Sequence, residues 1–469
     1  MSTAEPAPSL LLTLTDAVVL SMKDGEDWFR GWLSVGQDGR IAALGPGAAP
    51  PEALAADEVV DVDGAFVAPG FVSAHSHIFT SGMRGMTPGE PLYGWVGVQA
   101  QFMSGTDAED VYWMTLHGCL DFLANGITSA YNFTSSRIHT RYDAATDSRI
   151  VLDALGPEYV HRQVDAGRVA GLRMVNSIRL DSELQDLDTA YRVFGETVQY
   201  VRDTVPADLD LGASVFGAQQ WSDSPDTAVH EARMMDVHGV TNQAHFLETS
   251  EELEQQREKF DWYERSGALR PGFLFGHFVH PDEHMATATA AAGAGMVWQP
   301  TSNGRLASGF ADIPRYRDLG MPIGVGLDDQ SCTDVSDPFS NMRFGMYSQR
   351  ALHRDAGIVM PREMIRMHTL GSAEALRVAD RVGSLEVGKL ADLVVVDPTR
   401  PDTGPVWDPY AHYAMACGLR NLTRVYVGGR LAALDGVSTH PDAERASLEL
   451  HARVPVAAAR AGLAADLAW

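Results

Sequence analysis

The run Ala68-Pro-Gly-Phe-Val-Ser-Ala-His-Ser-His closes on two histidines, His75 and His77, one residue apart. Side chains alternate along an extended strand, so both imidazoles leave the same face and aim at one point, a geometry that suits a metal ion. Three later runs that read as strands end in groups of the same kind: His245 with Glu248 three residues on, His277, and Asp328. Three neutral imidazoles and one carboxylate leave a position open for water, as a catalytic zinc or iron site requires. An ion held there would bring the pKa of its bound water towards neutrality, so that hydroxide becomes available at physiological pH.

Groups so far apart along the chain meet only if the fold gathers strand ends. From residue 69 to about 380 apolar strands alternate with amphipathic helices, the pattern of βα units around a parallel sheet. Strands are predicted over 66–74, 129–133, 172–178, 209–215, 241–246, 272–278, 295–299 and 322–327. Thr106-Asp-Ala-Glu109 reads as a capping box opening a helix that stops at Asn125-Gly126. Eight strands with intervening helices predict a (β/α)8 TIM barrel of the α/β class, with its chemistry at the C-terminal strand ends; a doubly wound sheet would show the same alternation. Short strands with Asp-Gly turns fill residues 9–67, and similar strands, with Gly428-Gly429 as a hairpin turn, lie near the other end. The predicted organisation is a composite β-sandwich from 1–67 plus 381–436, a barrel over 68–380, and a helical tail over 437–469 that could serve oligomer contacts.

The 469 residues include 45% apolar and 21% charged, ordinary globular usage. A net charge of −26 with no basic stripe excludes nucleic acid as a partner. The three cysteines, Cys119, Cys332 and Cys417, have no zinc or disulfide spacing and read as free thiols, Cys332 as a buried inert one. The first residues lack a signal-peptide pattern and no run of apolar residues is long enough to span a membrane, which predicts a cytoplasmic protein with no membrane partner. The only lysines are Lys23, Lys259 and Lys389, none in a predicted central strand, which removes Schiff-base chemistry. His117, His161, His238 and His368 fall in helices or their approaches and read as structural.

Together with Met83-Arg84-Gly85, Trp95, Asn125-Gly-Ile-Thr128, His245-Phe-Leu-Glu248, Gly276-His-Phe-Val-His280 and Gly383-Ser-Leu-Glu-Val-Gly-Lys-Leu-Ala-Asp392, the His75–His77 run resembles the amidohydrolase superfamily. The resemblance is to the subgroup of cytosine, guanine and adenosylhomocysteine deaminases and triazine hydrolases. It implies His75, His77, His245 and Asp328 as ligands of one divalent metal, with Zn2+ first and Fe2+, Co2+ or Mn2+ as alternatives, and Glu248 and His277 as the proton-handling pair. Dinuclear relatives bridge two ions with a carboxylated lysine on strand 4, where this chain has none, so one ion is expected. The chemistry of the groups supports these roles. Asp328 could bind the ion with one oxygen and take the water proton on the other; Glu248 could protonate a ring nitrogen or leaving group; His277 could orient hydroxide and stabilise an oxyanion.

The substrate is where the chain departs from that subgroup. Its deaminases usually carry a His or Cys in a His-Asn-Pro-like run after strand 7 and Thr-Asp-Gly or Ser-Asp-Gly at strand 8; here the runs are Trp298-Gln-Pro-Thr-Ser-Asn303 and Leu327-Asp-Asp-Gln330. An indole and a leucine near the mouth point to a less polar substrate than a nucleobase. Gly304-Arg-Leu-Ala-Ser-Gly309, Asp328-Asp-Gln-Ser-Cys332 and Asp337-Pro-Phe-Ser-Asn-Met-Arg343 are similar to hydrolases of phenylureas and thiocarbamates. Arg84, Trp95, Trp298, Asn303 and His280 are the expected substrate contacts. The expectation is a mononuclear metal-dependent amidohydrolase, a homo-oligomer (dimer or larger), using a metal-bound hydroxide on an amide, urea or carbamate C–N bond of a small molecule. The alternative is a deaminase releasing ammonia from an amino-substituted purine, pyrimidine or triazine.

Overall fold

The structure, a computed structural model, describes residues 9–143 and 148–463. The start of the chain, read above for a signal peptide, and the last six residues of the tail lie outside the described residues.

Eight parallel strands run from residue 71 to 329: β1 (Phe71–His77), β2 (Ile127–Phe133), β3 (Arg173–Arg179), β4 (Asp210–Gly217), β5 (Thr241–Phe246), β6 (Phe273–His277), β7 (Gly295–Trp298) and β8, made in two pieces, Ile323–Val325 and Asp328–Asp329. The first piece of β8 pairs with β7 and the second with β1. Hydrogen bonding therefore begins and ends on one strand, and the sheet closes into the expected barrel. Between the two pieces the ladder is carried by Gly326 N–H donating to the Trp298 carbonyl (2.9 Å) and Leu327 N–H donating to Ser73 Oγ (3.0 Å). Gly326 is required here, because a Cβ would stand 2.6 Å from the Cβ of His75.

Parallel strands covered on both faces read as continuous apolar runs, and β2, Ile-Thr-Ser-Ala-Tyr-Asn-Phe, is buried throughout. Its inward Tyr131 donates to Ser214 Oγ (2.7 Å) and lies within 2.9 Å of Ser177 Oγ, so a buried hydroxyl finds its partners inside the barrel. The capping box sits one residue later than the sequence suggests. Asp107, not Thr106, is the N-cap of the Ala108–Ala124 helix, accepting from the Glu109 and Asp110 N–H groups while Asp110 reaches back to the Asp107 N–H. Asp107 wins because a carboxylate adds favourable charge to the hydrogen bond at a helix N-terminus.

The predicted first strand, 66–74, is two strands in two sheets. Phe66–Pro69 pairs antiparallel with Leu393–Val396, and Phe71–His77 enters the barrel. Gly70 is the turning point, since a Cβ there would fall 2.2 Å from Thr128 Oγ1. The strands from both termini form one continuous mixed sheet of nine, ordered 437–438, 430–434, 422–427, 393–396, 66–69, 10–19, 29–36, 41–46, with 58–61 also on 10–19. Leu14, Leu33, Val67, Leu393 and Val395 share one apolar cluster of that sheet. The predicted hairpin at Gly428-Gly429 is there, both residues at positive φ (55° and 71°).

Three elements pack over the barrel mouth, of which the sequence predicted only the helical tail. An antiparallel hairpin, Ile138–Asp143 with Ser148–Ala154, follows β2. The Leu92–Met103 helix carries Trp95. The Ala443–Arg460 helix of the tail docks its buried face, Leu450, Ala457 and Ala458, on Phe102, Met103 and Met114, and Arg453 and Arg460 pair with the buried Asp110.

Beyond β4, the Ala218 N–H donates to Glu231 Oε1 (2.6 Å). Burial, reinforced by the charge of Glu183, pushes the Glu231 carboxyl from 4.5 up to about 8. The folded chain therefore keeps a proton that the unfolded chain releases above pH 4.5. Stability from this group is complete below that pH and is lost as pH rises towards 8. Glu231→Gln keeps the acceptor for Ala218 and should flatten the fall of Tm between about pH 5 and 8; a pH profile unchanged from wild type would show that the ionised carboxylate is accommodated without cost.

Candidate metal centre and active site

The register of β8 on β1 builds the centre. Asp328 stands opposite Ser76 and Asp329 opposite His77, so the carboxylate of one strand lies beside the imidazoles of the other. Parallel pairing of β5 with β6 adds His245 and His277 at neighbouring strand ends. His277, Phe278 and Asp328 turn out of their strands at φ +68°, +44° and +68°. Left-handed backbone at a non-glycine residue costs on the order of 1–3 kcal/mol and recurs where a side chain is aimed at a site.

Ligand atoms of His75, His77, His245 and Asp328 lie within 4.8 Å of one another, all four buried. His75 Nε2 is 3.3 Å and His77 Nε2 3.7 Å from Asp328 Oδ1, and His77 Nε2 faces His245 Nε2 at 3.0 Å. On the far side of the same carboxylate, Oδ2 accepts from Ser302 Oγ at 2.6 Å and lies 3.7 Å from His277 Nε2, which is 3.3 Å from Glu248 Oε2. Asp328 thus gives one oxygen to the imidazole cluster and the other to the proton-handling groups.

The donor set fits a divalent cation. His75 Nε2 is buried without a hydrogen-bond partner, while its Nδ1 is 2.5 Å from Gln243 Oε1. Gln243 in turn donates to the Ala74 carbonyl (3.0 Å), which orients its amide so that Oε1 accepts the Nδ1 proton and Nε2 is left bare. Burial, then the field of His75, drops His77 to about 3, and burial drops His277 to about 3 as well. Burial and the three neighbouring imidazoles hold His245 well below its usual range. Neutral imidazoles are the form that binds metal. Burial alone would raise the Asp328 carboxyl, but the close approach of His75 and the fields of the neighbouring histidines hold it well below the usual range. Glu248 goes the other way, raised well above the usual carboxylate range by burial and by the charge of Asp328.

These groups open on a cavity of about 190 Å³. Its wall is largely apolar (Phe79, Leu92, Trp95, Met103, Phe216, Trp221), and Arg149, Arg179 and Asp181 form a polar margin. Both arginines are compensated: Arg179 pairs with Asp181 (2.8 Å) and Glu183 (2.5 Å), and Arg149 with Glu183 (3.3 Å).

Of the five expected substrate contacts, Trp95 alone lines this cavity. Arg84 is turned to Asp121 (2.6 Å). Trp298 faces outward from β7, buried against Pro300 and Gly345 of the Pro338–His353 helix, because alternation gives the inward position to Val297. Asn303 bonds His277 Nδ1 (2.9 Å), and His280 donates to the Ser308 carbonyl (2.6 Å). Cys332 lies in the cavity wall with its thiol raised well above its usual range by burial, hence un-ionised. Sequence reasoning missed Gln243, although it precedes His245 by two on β5 and so shares its face. It also missed Ser302, Gln99, Asp329 and His139. Gln99 Nε2 donates to Asp329 Oδ1 (3.0 Å), and the His139 Nε2 is buried in the cavity wall without a partner; no periodicity announces these.

The profile of the Amidohydrolase family matches residues 66–432. A 5-methylthioadenosine/S-adenosylhomocysteine deaminase of Syntrophobacter fumaroxidans is 27% identical over 90% of this chain and 93% of its own, and one of Symbiobacterium thermophilum is 28% identical over 96% and 98%. Among solved structures, an adenosine deaminase from Xanthomonas campestris with bound zinc superposes with a TM-score of 0.82 at 21% identity, covering 97% of this chain and 100% of that one. A triazine hydrolase from Arthrobacter aurescens gives a TM-score of 0.82 at 19% identity, covering 95% and 100%. At those identities the likeness is one of fold.

The hydrogen bond that orients His75 can be tested apart from any substrate. Gln243→Leu should keep the fold and weaken zinc binding by about 10–100-fold in a chelator competition; wild-type affinity would show that His75 needs no such support.

Proposed function

As the chain belongs to the amidohydrolase family, we propose that it hydrolyses an amide, urea or carbamate C–N bond of a small uncharged molecule, with one divalent ion, zinc, held by His75, His77, His245 and Asp328. The observation that carries this reading is the divided carboxylate of Asp328, one oxygen towards the imidazoles and the other towards His277, with the buried Glu248 carboxyl 3.3 Å from His277 Nε2. A divalent ion bound there supplies Lewis acidity and an acidified water. Asp328 Oδ2 takes the proton of the attacking water. His277 Nε2–H donates to the oxygen that gains charge as the carbon becomes tetrahedral. Glu248 Oε2 gives its proton to the departing nitrogen, so an amine leaves neutral, and regains one from Asp328 by way of the product or solvent.

Substrate size and polarity follow from the cavity. Its volume of about 190 Å³ suits a small molecule. An apolar wall and compensated arginines favour an uncharged, partly aromatic molecule. A second reading, deamination of an amino-substituted heterocycle, is supported by the relatives named as 5-methylthioadenosine/S-adenosylhomocysteine deaminases. The proposal places the protein in the cytoplasm, in keeping with three buried free cysteines and with no helix, among the described residues, long and apolar enough to cross a membrane. It also takes the protein to be a homo-oligomer, with the exposed Val151 and Leu152 of the mouth hairpin as apolar surface to cover.

Zinc-loaded protein should release a substituted amine from N-aryl ureas or carbamates, identified by mass spectrometry. Ammonia release from aminopurine nucleosides with no turnover of the ureas and carbamates would replace this reading by the second. Asp328→Asn should lower kcat by at least about 100-fold on whichever substrate is found; near-normal turnover would remove Asp328 as the base.

A further inference from the structure

The turn after β7 supplies none of the proposed ligands, yet it touches both Asp328 and His277. Gln299 Oε1 accepts from the His277 backbone N–H (2.9 Å), where the chain is at φ +68°. Ser302 Oγ donates to Asp328 Oδ2 (2.6 Å) and Asn303 Nδ2 lies 2.9 Å from His277 Nδ1. All three side chains are buried, and the turn is itself anchored by Thr301, whose Oγ1 donates to Asn341 Oδ1 (2.8 Å). Ser302 and Asn303 are adjacent, on one short helix, Pro300–Arg305, so they move as one unit.

We propose that Ser302 and Asn303 are positioning residues: Ser302 fixes the plane of the Asp328 carboxylate so that one oxygen faces the imidazole cluster, and Asn303 holds His277 in the form with its proton on Nε2. The assignment rests on the metal centre proposed above.

The argument for Ser302 is directional. A carboxylate can rotate about its last bond, and only near one setting of its plane does an oxygen face the imidazoles. A hydroxyl fixed on Oδ2 removes that freedom and leaves Oδ1 to face His75 and His77. The argument for Asn303 is one of proton placement. His277 Nε2 faces the Asp328 carboxylate, Oδ2 at 3.7 Å, so Nε2 carries the ring proton. Nδ1 is then a bare acceptor, and the partner it requires is a donor, which the Asn303 amide NH2 supplies. With the ring locked this way, His277 meets substrate as a hydrogen-bond donor. The consequence is a division of labour: ligands come from β1, β5 and β8, while the β7 turn sets orientation and tautomer without touching the ion.

The two halves separate experimentally without a substrate. Ser302→Ala should raise the zinc dissociation constant by about 10–100-fold in chelator competition, whereas Ser302→Thr, which keeps the hydroxyl, should bind as wild type. In protein with nitrogen-labelled histidine, the His277 ring, assigned by its loss in His277→Gln, should give the Nε2–H signature. Asn303→Asp, which puts an acceptor where the donor was, should add a proton at Nδ1 while zinc affinity stays at the wild-type level. Equal loss of zinc in the alanine and threonine variants, zinc loss on Asn303→Asp, an Nδ1–H signature in wild type, or a tautomer indifferent to Asn303 would each overturn the proposal. A wild-type chain that binds no zinc would instead overturn the metal reading on which it rests.

Discussion

The register of β8 on β1 is the constraint from which the centre follows. Closing a parallel sheet requires its last strand to pair with its first, and here the pairing sets Asp328 opposite Ser76. Shifting that register by one residue would turn Asp328 to the other face of the sheet. Several local features serve the closure. Gly326 lets the strand pass over His75, Ser73 Oγ accepts from the Leu327 N–H, and β8 breaks before Asp328, which rejoins the ladder on β1 at positive φ. Gly70 performs the matching task at the other end of β1, where the chain crosses from the terminal sheet into the barrel.

Closure also concentrates charge where water is excluded. Four histidines and two acids share a buried volume in which burial holds His77, His245 and His277 neutral and the acids are driven apart, Asp328 down and Glu248 up. An acid that keeps its proton beside one that has lost it is the arrangement needed to take a proton from water and give one to a leaving nitrogen. The cost is visible in polar atoms left without partners: His75 Nε2, His245 Nδ1 and His277 Nε2 are all buried and unpaired. Each such atom costs on the order of 1–3 kcal/mol. A cation among the imidazoles would offset the first of these directly.

The barrel and the residues of the centre were legible because they depend on short-range rules. Alternation along a strand predicts that His75 and His77 converge, and the βα pattern predicts eight strand ends around one mouth; all eight strands are present within a few residues of their expected positions. What was lost depends on geometry that no periodicity encodes. Strand 66–74 looked continuous because Gly70 has no side chain to betray a change of sheet. Trp298 was assigned to the mouth by proximity in sequence, whereas the pleat turns it into the helix layer. Asn303 was taken for a substrate contact, but its amide is spent on His277. The mouth hairpin escaped because its strands are short of alternating apolar residues and carry Arg, Thr and Asp instead.

The metal content of protein purified without chelator, measured by elemental mass spectrometry, bears most directly on this account. A centre of three imidazoles and one carboxylate, with no lysine on β4 to bridge a second ion, predicts about one divalent ion per chain. About two ions per chain would mean that another group bridges them, and Asp329 beside Asp328 would be the first to examine. A chain that holds no metal, and takes up none when zinc is added, would contradict the account at its root.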